Sequence, residues 1–70
     1  MSFTLKKFGD ADCRRIEDHD GVVHAMVLRL ANGQWCLSDR LGNRTSGAVK
    51  SDKAAFALWL DRVGLITGKL

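Results

Sequence analysis

The stretch from Val22 to Asp39 contains two runs with the alternation typical of neighbouring β-strands in one hairpin. Asn32-Gly33 joins the runs, and this dipeptide favours a two-residue turn because both central positions of such a turn need a positive φ. In the resulting register Leu30 faces Trp35, and side chains alternate between the two sheet faces. One face is apolar, and the other is small and basic. The predicted core face carries His24, Met26, Leu28, Leu30, Trp35 and Leu37.

The residues before the hairpin extend it toward the N-terminus. Ser2 to Phe8 alternates apolar and polar residues, as a half-buried edge strand does. Asp12 to Asp18 holds too few apolar residues to show a period, and Asp10 equally suits the N-cap of a short helix. We favour a strand, because His19-Asp20-Gly21 fits a three-residue loop with its glycine in the left-handed region. That loop turns Ile16 toward the core face.

The residues after the hairpin predict a turn, a short strand and a helix. Arg40 to Arg44 contains a glycine and an asparagine that tolerate positive φ, and a strand through Thr45 to Lys50 follows. Ser51 is a favourable helix N-cap, and Gly64 is a natural left-handed residue at the other end. The helix is predicted to run to about Val63, and its apolar stripe consists of Phe56, Trp59, Leu60 and Val63.

Together these elements predict one α+β domain over residues 1–70. Its architecture is an antiparallel three- to four-stranded meander with one C-terminal helix packed on one face. Trp35 and Phe56 are expected in the core, where the sheet and helix patterns converge, and Leu65 and Ile66 are expected to fold back onto the sheet. The face opposite the helix is left to solvent or to a partner.

Charge and apolar content limit the class of partner and the compartment. The formal net charge is +3 and the pI is near 9.2, which permits attraction to nucleic acid or to an acidic protein surface. The chain lacks an apolar run of ~18 residues, and charges interrupt Met1 to Gly9 where a signal peptide would be apolar. These features predict a cytoplasmic monomer or homodimer that does not enter a membrane.

The potential metal ligands and nucleophiles do not form a recognisable site in the sequence. Cys13, His19, His24 and Cys36 include no closely spaced pair of the kind that structural zinc sites use. The two cysteines are expected about two strand spacings apart, or ~9.5 Å, which exceeds the reach of a disulfide, so both are predicted to be free thiols. No phosphate-binding glycine loop is present. We therefore expect neither an enzyme, nor a metal site, nor a cofactor.

Arginines supply the clearest functional signal. In the predicted register Arg15 pairs with Ala25 and Ala25 pairs with Arg40, while Arg29 lies on the same outer face. Guanidinium groups donate fork-shaped hydrogen bonds to phosphates and carboxylates, so such a row suits a phosphate backbone or a carboxylate-rich protein. The alternative is a solvated face held by weak ion pairs. The predicted binding residues are Arg15, Arg29, Arg40 and Arg44.

A family resemblance covers Gly33 to Leu60, whose sequence is GQWCLSDRLGNRTSGAVKSDKAAFALWL. Its order of strand, turn, strand, serine cap and alanine-rich helix resembles the arm-type DNA-binding domains of tyrosine integrases. The resemblance implies a sheet laid into the major groove with a helix behind it, and it brings Arg29, Arg40 and Arg44 toward DNA. Similar miniatures occur among small phage proteins that inhibit host defence, including anti-CRISPR proteins.

We therefore expect a non-catalytic binding module that binds nucleic acid through an arginine-bearing sheet face. The alternative is a phage-encoded inhibitor, similar to anti-CRISPR proteins, that binds a protein or nucleoprotein complex. A modest positive charge is compatible with both partners.

Overall fold

Four strands and one helix make up the fold, and the computed structural model describes residues 3–8 and 10–64. Each strand pairs antiparallel with the next along the chain, so the sheet order is β1-β2-β3-β4. The helix packs against one face of this sheet, which confirms the predicted α+β meander. The stretch before the first loop is a strand, as predicted, and not a helix. The elements are β1 (Phe3–Phe8), β2 (Asp10–Asp18), β3 (Val23–Arg29), β4 (Trp35–Ser38) and α1 (Asp52–Arg62).

The same three-residue loop occurs at residues 19–21, 31–33 and 40–42. In each loop the backbone N–H of the final glycine donates to the carbonyl of the residue just before the loop, with N···O distances of 2.9 to 3.1 Å. The residue just before each loop also donates its own N–H to the carbonyl of the residue just after the loop. Only glycine adopts the required left-handed backbone without strain. The three glycines are Gly21, Gly33 and Gly42, with φ of 82°, 88° and 91°.

The loop at residues 31–33 makes the predicted register of β3 and β4 wrong by one residue. Arg29 pairs with Trp35 and Val27 pairs with Leu37, because Ala31 joins the asparagine and glycine in the loop. A shift of one residue turns every side chain of a strand to the opposite face. Ala25 and Val27 are therefore buried beneath the helix. Met26 and Leu28, which were predicted in the core, lie partly exposed on the outer face.

The core lies between the sheet and α1. The helix is rotated by about one residue from the predicted stripe, because Ala55, Leu58 and Trp59 follow the i, i+3, i+4 spacing toward the sheet. Ala55 is fully buried, Phe56 is only partly buried at the margin, and Val63 is 48% exposed. Small side chains on both layers permit a close approach of helix and sheet. The buried cluster consists of Ile16, Ala25, Val27, Trp35, Leu37 and Ala55.

Both ends of α1 have the predicted caps. The Ser51 hydroxyl accepts a hydrogen bond from the Ala54 N–H at 3.0 Å, which satisfies one of the free donors of the first turn. At the other end Gly64 has a φ of 80° and donates its N–H to the Asp61 carbonyl at 3.0 Å. The helix boundaries were therefore predictable from the cap residues.

The predicted strand through Thr45 to Lys50 is absent, and an irregular segment covers the edge of β4 instead. Isolated bridges join Ser38 to Arg44 and Trp35 to Val49. Between these bridges the Leu37 N–H donates to the Ser46 hydroxyl at 2.8 Å, and the Leu37 carbonyl accepts from the Thr45 N–H at 2.8 Å. A side chain replaces one ladder bond here, so the segment satisfies the strand edge without forming a strand.

The cysteine prediction is confirmed. Cys13 and Cys36 are free, and each pairs with Leu28 from opposite sides, so a whole strand separates them. Leu65 and Ile66, which were predicted to fold back onto the sheet, lie outside the described residues. The described part of the chain contains no helix that is long and apolar enough to cross a membrane.

Candidate nucleic-acid interface

The four arginines predicted as a binding face do not share one face. Arg15 pairs with Met26, and Met26 pairs with Ser38, so the predicted row of Arg15, Ala25 and Arg40 does not form. Arg15 directly precedes the buried core residue Ile16 in β2, so by alternation it points to the outer face. Arg29 pairs with Trp35 and lies on the helix side of the sheet. The bulge of β3 at its pairing with β2 moves Arg15 from Ala25 to Met26, and the three-residue loop between β3 and β4 turns Arg29 to the helix side.

Arg15 belongs to an ion-pair group on the outer face. Its Nε lies 3.2 Å from Glu17 Oε2, and Lys6 Nζ lies 3.8 Å from the other carboxylate oxygen. Glu17 is only 7% exposed, so its charge depends on these two cations for compensation. Any acidic ligand would therefore compete with the nearly buried carboxylate of Glu17 for the guanidinium group of Arg15.

Arg29 and Arg14 are held around the indole of Trp35. Arg29 Nη1 lies 3.6 Å from Asp12 Oδ1, and its guanidinium carbon is 6.0 Å from the centroid of the ring. Arg14 lies closer, at 5.0 Å from the ring, and its Nε donates to Asp52 at 3.1 Å. These cation–π and ionic contacts join β2, β4 and the start of α1. Both guanidinium groups therefore have carboxylate partners.

Three other arginines form a group after β4, which we call the arginine cluster: Arg40, Arg44 and Arg62. Arg44 Nε donates to the Ser46 carbonyl at 2.8 Å, and Arg62 Nη1 donates to the Thr45 carbonyl at 2.8 Å. These acceptors belong to consecutive residues, so both side chains are anchored to the same short segment of the chain. Arg40 lies in the adjoining loop, and all three are exposed. Within the described residues none of them forms an ion pair with a carboxylate.

Asp39 fixes the loop that presents Arg40. Its Oδ1 accepts the backbone N–H groups of Leu41 and Asn43, each at 2.9 Å, and its Oδ2 accepts the Asn43 side-chain amide at 3.2 Å. The bond from the Asn43 N–H is the main reason why the pKa of Asp39 lies below its usual value of 3.8. The carboxylate thus stays charged and closes the loop.

The chain from Arg40 to Arg62 has an excess of positive charge. Its only acidic residues are Asp52, which pairs with Arg14, and Asp61. The basic residues of this segment are Arg40, Arg44, Lys50, Lys53 and Arg62. The excess produces a local positive field that the net charge of +3 understates.

An acidic loop lies at the same end of the sheet, because β3 begins where β4 ends. Its carboxylates have histidine partners: Asp18 lies 2.9 Å from His24, and Asp20 lies 3.5 Å from His19. The hydrogen bond with His24 is the largest cause of the lowered pKa of Asp18. The negative charge of these carboxylates disfavours an anionic ligand on the side of the β2–β3 loop.

His24 occupies a bulge that the sequence did not reveal. Ile16 pairs with Ala25 while Glu17 pairs with Val23, so His24 is the extra residue of β3. Its ring packs edge-on against Phe3, with centroids 5.0 Å apart. The described residues include no group of three or more histidine, cysteine or acidic side chains that would hold a metal. The contacts of His24 give it a structural role.

Sequence reasoning predicted Arg40 and Arg44 as binding residues and did not single out Arg62. A basic residue in the last helical turn is usually explained by the helix macrodipole, and only the fold shows that Arg62 reaches the Thr45 carbonyl. Neither a protein-family model, nor a curated protein, nor a solved structure matches this chain significantly. The residues themselves therefore carry the functional argument.

Proposed function

We propose that this protein is a non-catalytic module that binds the phosphate backbone of nucleic acid through the arginine cluster. The observation that supports the proposal is that, among the described residues, Arg40, Arg44 and Arg62 have no carboxylate partner, although Lys6, Arg14, Arg15 and Arg29 all have one. Exposed guanidinium groups without counter-charges bind an anionic polymer favourably, because their binding releases the counterions condensed on the polymer.

The hydrogen bonds of Arg44 and Arg62 preorganise them for this role. Each uses one of its five N–H donors on a backbone carbonyl, which limits side-chain motion and leaves the other donors for phosphate oxygens. Lys50 and Lys53 extend the same basic segment with mobile charges. Contacts of this kind position a protein on nucleic acid and carry no sequence information. We therefore expect binding with little base preference from these residues.

The proposal differs from the sequence-based expectation in the residues that matter most. Arg15 and Arg29 would have to give up Glu17 and Asp12 before they contacted phosphate. For Arg15 this exchange would leave a nearly buried carboxylate with less compensation, which is costly. Arg40 needs no such exchange.

The test is a fluorescence-anisotropy titration of a labelled duplex of ~20 base pairs at several salt concentrations. Each phosphate contact to B-form DNA contributes about −0.9 to the slope of log K against log salt, so three arginines predict a slope near −2.7. Affinity should then fall about forty-fold between ~50 and ~200 mM salt. Absence of binding at ~50 mM salt, or binding that salt does not change, would contradict the proposal.

A second candidate is binding to a protein, as in the alternative of a phage-encoded inhibitor of a protein or nucleoprotein complex. The observation that favours it is the outer face, where Met26 and Leu28 are partly exposed. Apolar surface of this kind is typical of protein interfaces. Leu28→Lys should abolish binding to such a partner and leave duplex affinity intact, which separates the two candidates.

A further inference from the structure

Leu41 is far more exposed than any other large apolar side chain in the described residues. It is 87% exposed, whereas Val22 and Val63 are each 48% exposed. The described residues leave its apolar surface almost entirely uncovered, and an isolated exposed leucine is ordinary on its own. Its position within the arginine cluster gives it significance.

The loop holds Leu41 rigidly at its tip. The Leu41 N–H is bound to Asp39 at 2.9 Å, and the following Gly42 returns its own N–H to the Asp39 carbonyl at 3.1 Å. Because Gly42 has a φ of 91°, the backbone turns back immediately after Leu41. A preorganised loop loses little entropy when its tip enters a ligand.

Basic residues flank this tip along the chain. Arg40 precedes Leu41 in the loop, and Arg44 follows directly after the bond from the Asp39 N–H to the Asn43 carbonyl closes it. Arg62 is anchored to the Thr45 carbonyl, next to Arg44 in the chain. An apolar side chain flanked by cations suits the duplex minor groove, where proteins insert leucine and similar residues between base pairs while basic residues bind the adjacent phosphates.

We infer that Leu41 is a wedge that enters the minor groove of double-stranded nucleic acid, unstacks one base step and kinks the duplex. The inference depends on the proposed phosphate contacts of the arginine cluster. It adds a substrate class, namely double-stranded nucleic acid that deforms easily. It also adds a consequence for that substrate, which is a kink of roughly 20–90°. Pyrimidine–purine steps such as TA unstack most readily, so the wedge should favour them.

The experiment measures binding and bending together on two duplexes of equal length with a dye at each end. One duplex carries a single central TA step in a G·C-rich context, and the other lacks it. The parent protein should bind the duplex with the TA step severalfold more tightly than the duplex without it. It should also bring the two ends of that duplex closer, which raises energy transfer between the dyes. Leu41→Ala should lose the TA preference and the change in energy transfer, with its salt slope unchanged.

Control variants separate the wedge from a general loss of structure. Leu41→Met keeps an apolar side chain of similar size and should kink the duplex as the parent does. Val22→Ala removes another exposed apolar residue, at the β2–β3 loop, and should bind and bend like the parent. Both sites are exposed, so all three variants should melt within a few degrees of the parent.

Each outcome decides the inference. Kinking by the parent and its loss in Leu41→Ala support the wedge. Steep salt dependence with a straight duplex, or kinking that survives Leu41→Ala, overturns the wedge and leaves the proposed function standing. Absence of duplex binding by the parent overturns both.

Discussion

Lysine placed at two consecutive positions of β3 tests the observed register directly. Val27 is fully buried between Arg14 and Leu37 beneath the helix, whereas Leu28 lies partly exposed on the outer face. In the register predicted from Asn32-Gly33 the two roles are exchanged. Val27→Lys should therefore unfold the protein, and Leu28→Lys should be tolerated.

The expected magnitudes are far apart. Val27→Lys forfeits about 1.5–3 kcal/mol of apolar burial and adds several kcal/mol for an uncompensated buried ammonium. A domain of this size has a total free energy of unfolding of about 3.5–10 kcal/mol, so little folded protein should remain. At position 28 the ammonium reaches water, and the cost is limited to part of a leucine side chain, about 1–2 kcal/mol.

Urea denaturation followed by tryptophan fluorescence measures both variants, because Trp35 is buried and Trp59 is partly buried. Val27→Ala should remain folded with reduced stability, because the loss of two buried methyl groups should lower the free energy of unfolding by about 2 kcal/mol. A shift of that size should lower the melting temperature by about 8–16 °C. A folded Val27→Lys together with an unfolded Leu28→Lys would refute the register and the placement of the core.

Further predictions concern two of the loops. Gly33→Ala should destabilise the fold by about 1–2 kcal/mol through backbone strain alone, because a Cβ there meets no atom within 4 Å; a calorimetric melt equal to the parent's would contradict this loop geometry. Asp39→Ala should loosen the loop at residues 40–42 and raise amide exchange at Asn43, whereas Asp39→Asn keeps an acceptor oxygen and should not. The lowered pKa of Asp39 means that the stability from its carboxylate is present above pH 3.8 and is lost as the pH falls below that value. Asp39→Asn should therefore reduce the loss of stability in acid, measured by denaturation at pH 3 to 6, and Asp18 should account for part of the remainder.

The meander and the helix were predictable because local signals specify them. Gly21, Ser51 and Gly64 mark a loop and both helix ends, and each has the expected conformation. The β3–β4 register was not predictable from the dipeptide Asn32-Gly33, because two-residue and three-residue loops both end in a left-handed glycine. The strand itself gives no preference, since apolar residues occupy both of its faces.

The candidate site was less predictable than the fold because ion pairs join distant parts of the chain. Arg14 meets Asp52 across 38 residues, and Arg29 meets Asp12 on the preceding strand. These pairings depend on a register that the sequence did not determine. Only the folded arrangement distinguishes arginines with carboxylate partners from Arg40 and Arg44, which have none in the described residues.

The central claim, that the arginine cluster binds phosphate, is tested most directly by two double variants that remove equal charge. Arg40→Ala/Arg44→Ala and Lys6→Ala/Arg29→Ala both lower the net charge from +3 by two units, but the second pair removes residues that already have carboxylate partners. Salt-dependent duplex binding should lose about two units of slope in the first variant and remain close to the parent in the second. An equal loss in both variants would show that net charge governs binding, and a parental slope in the first would contradict the assignment of the site.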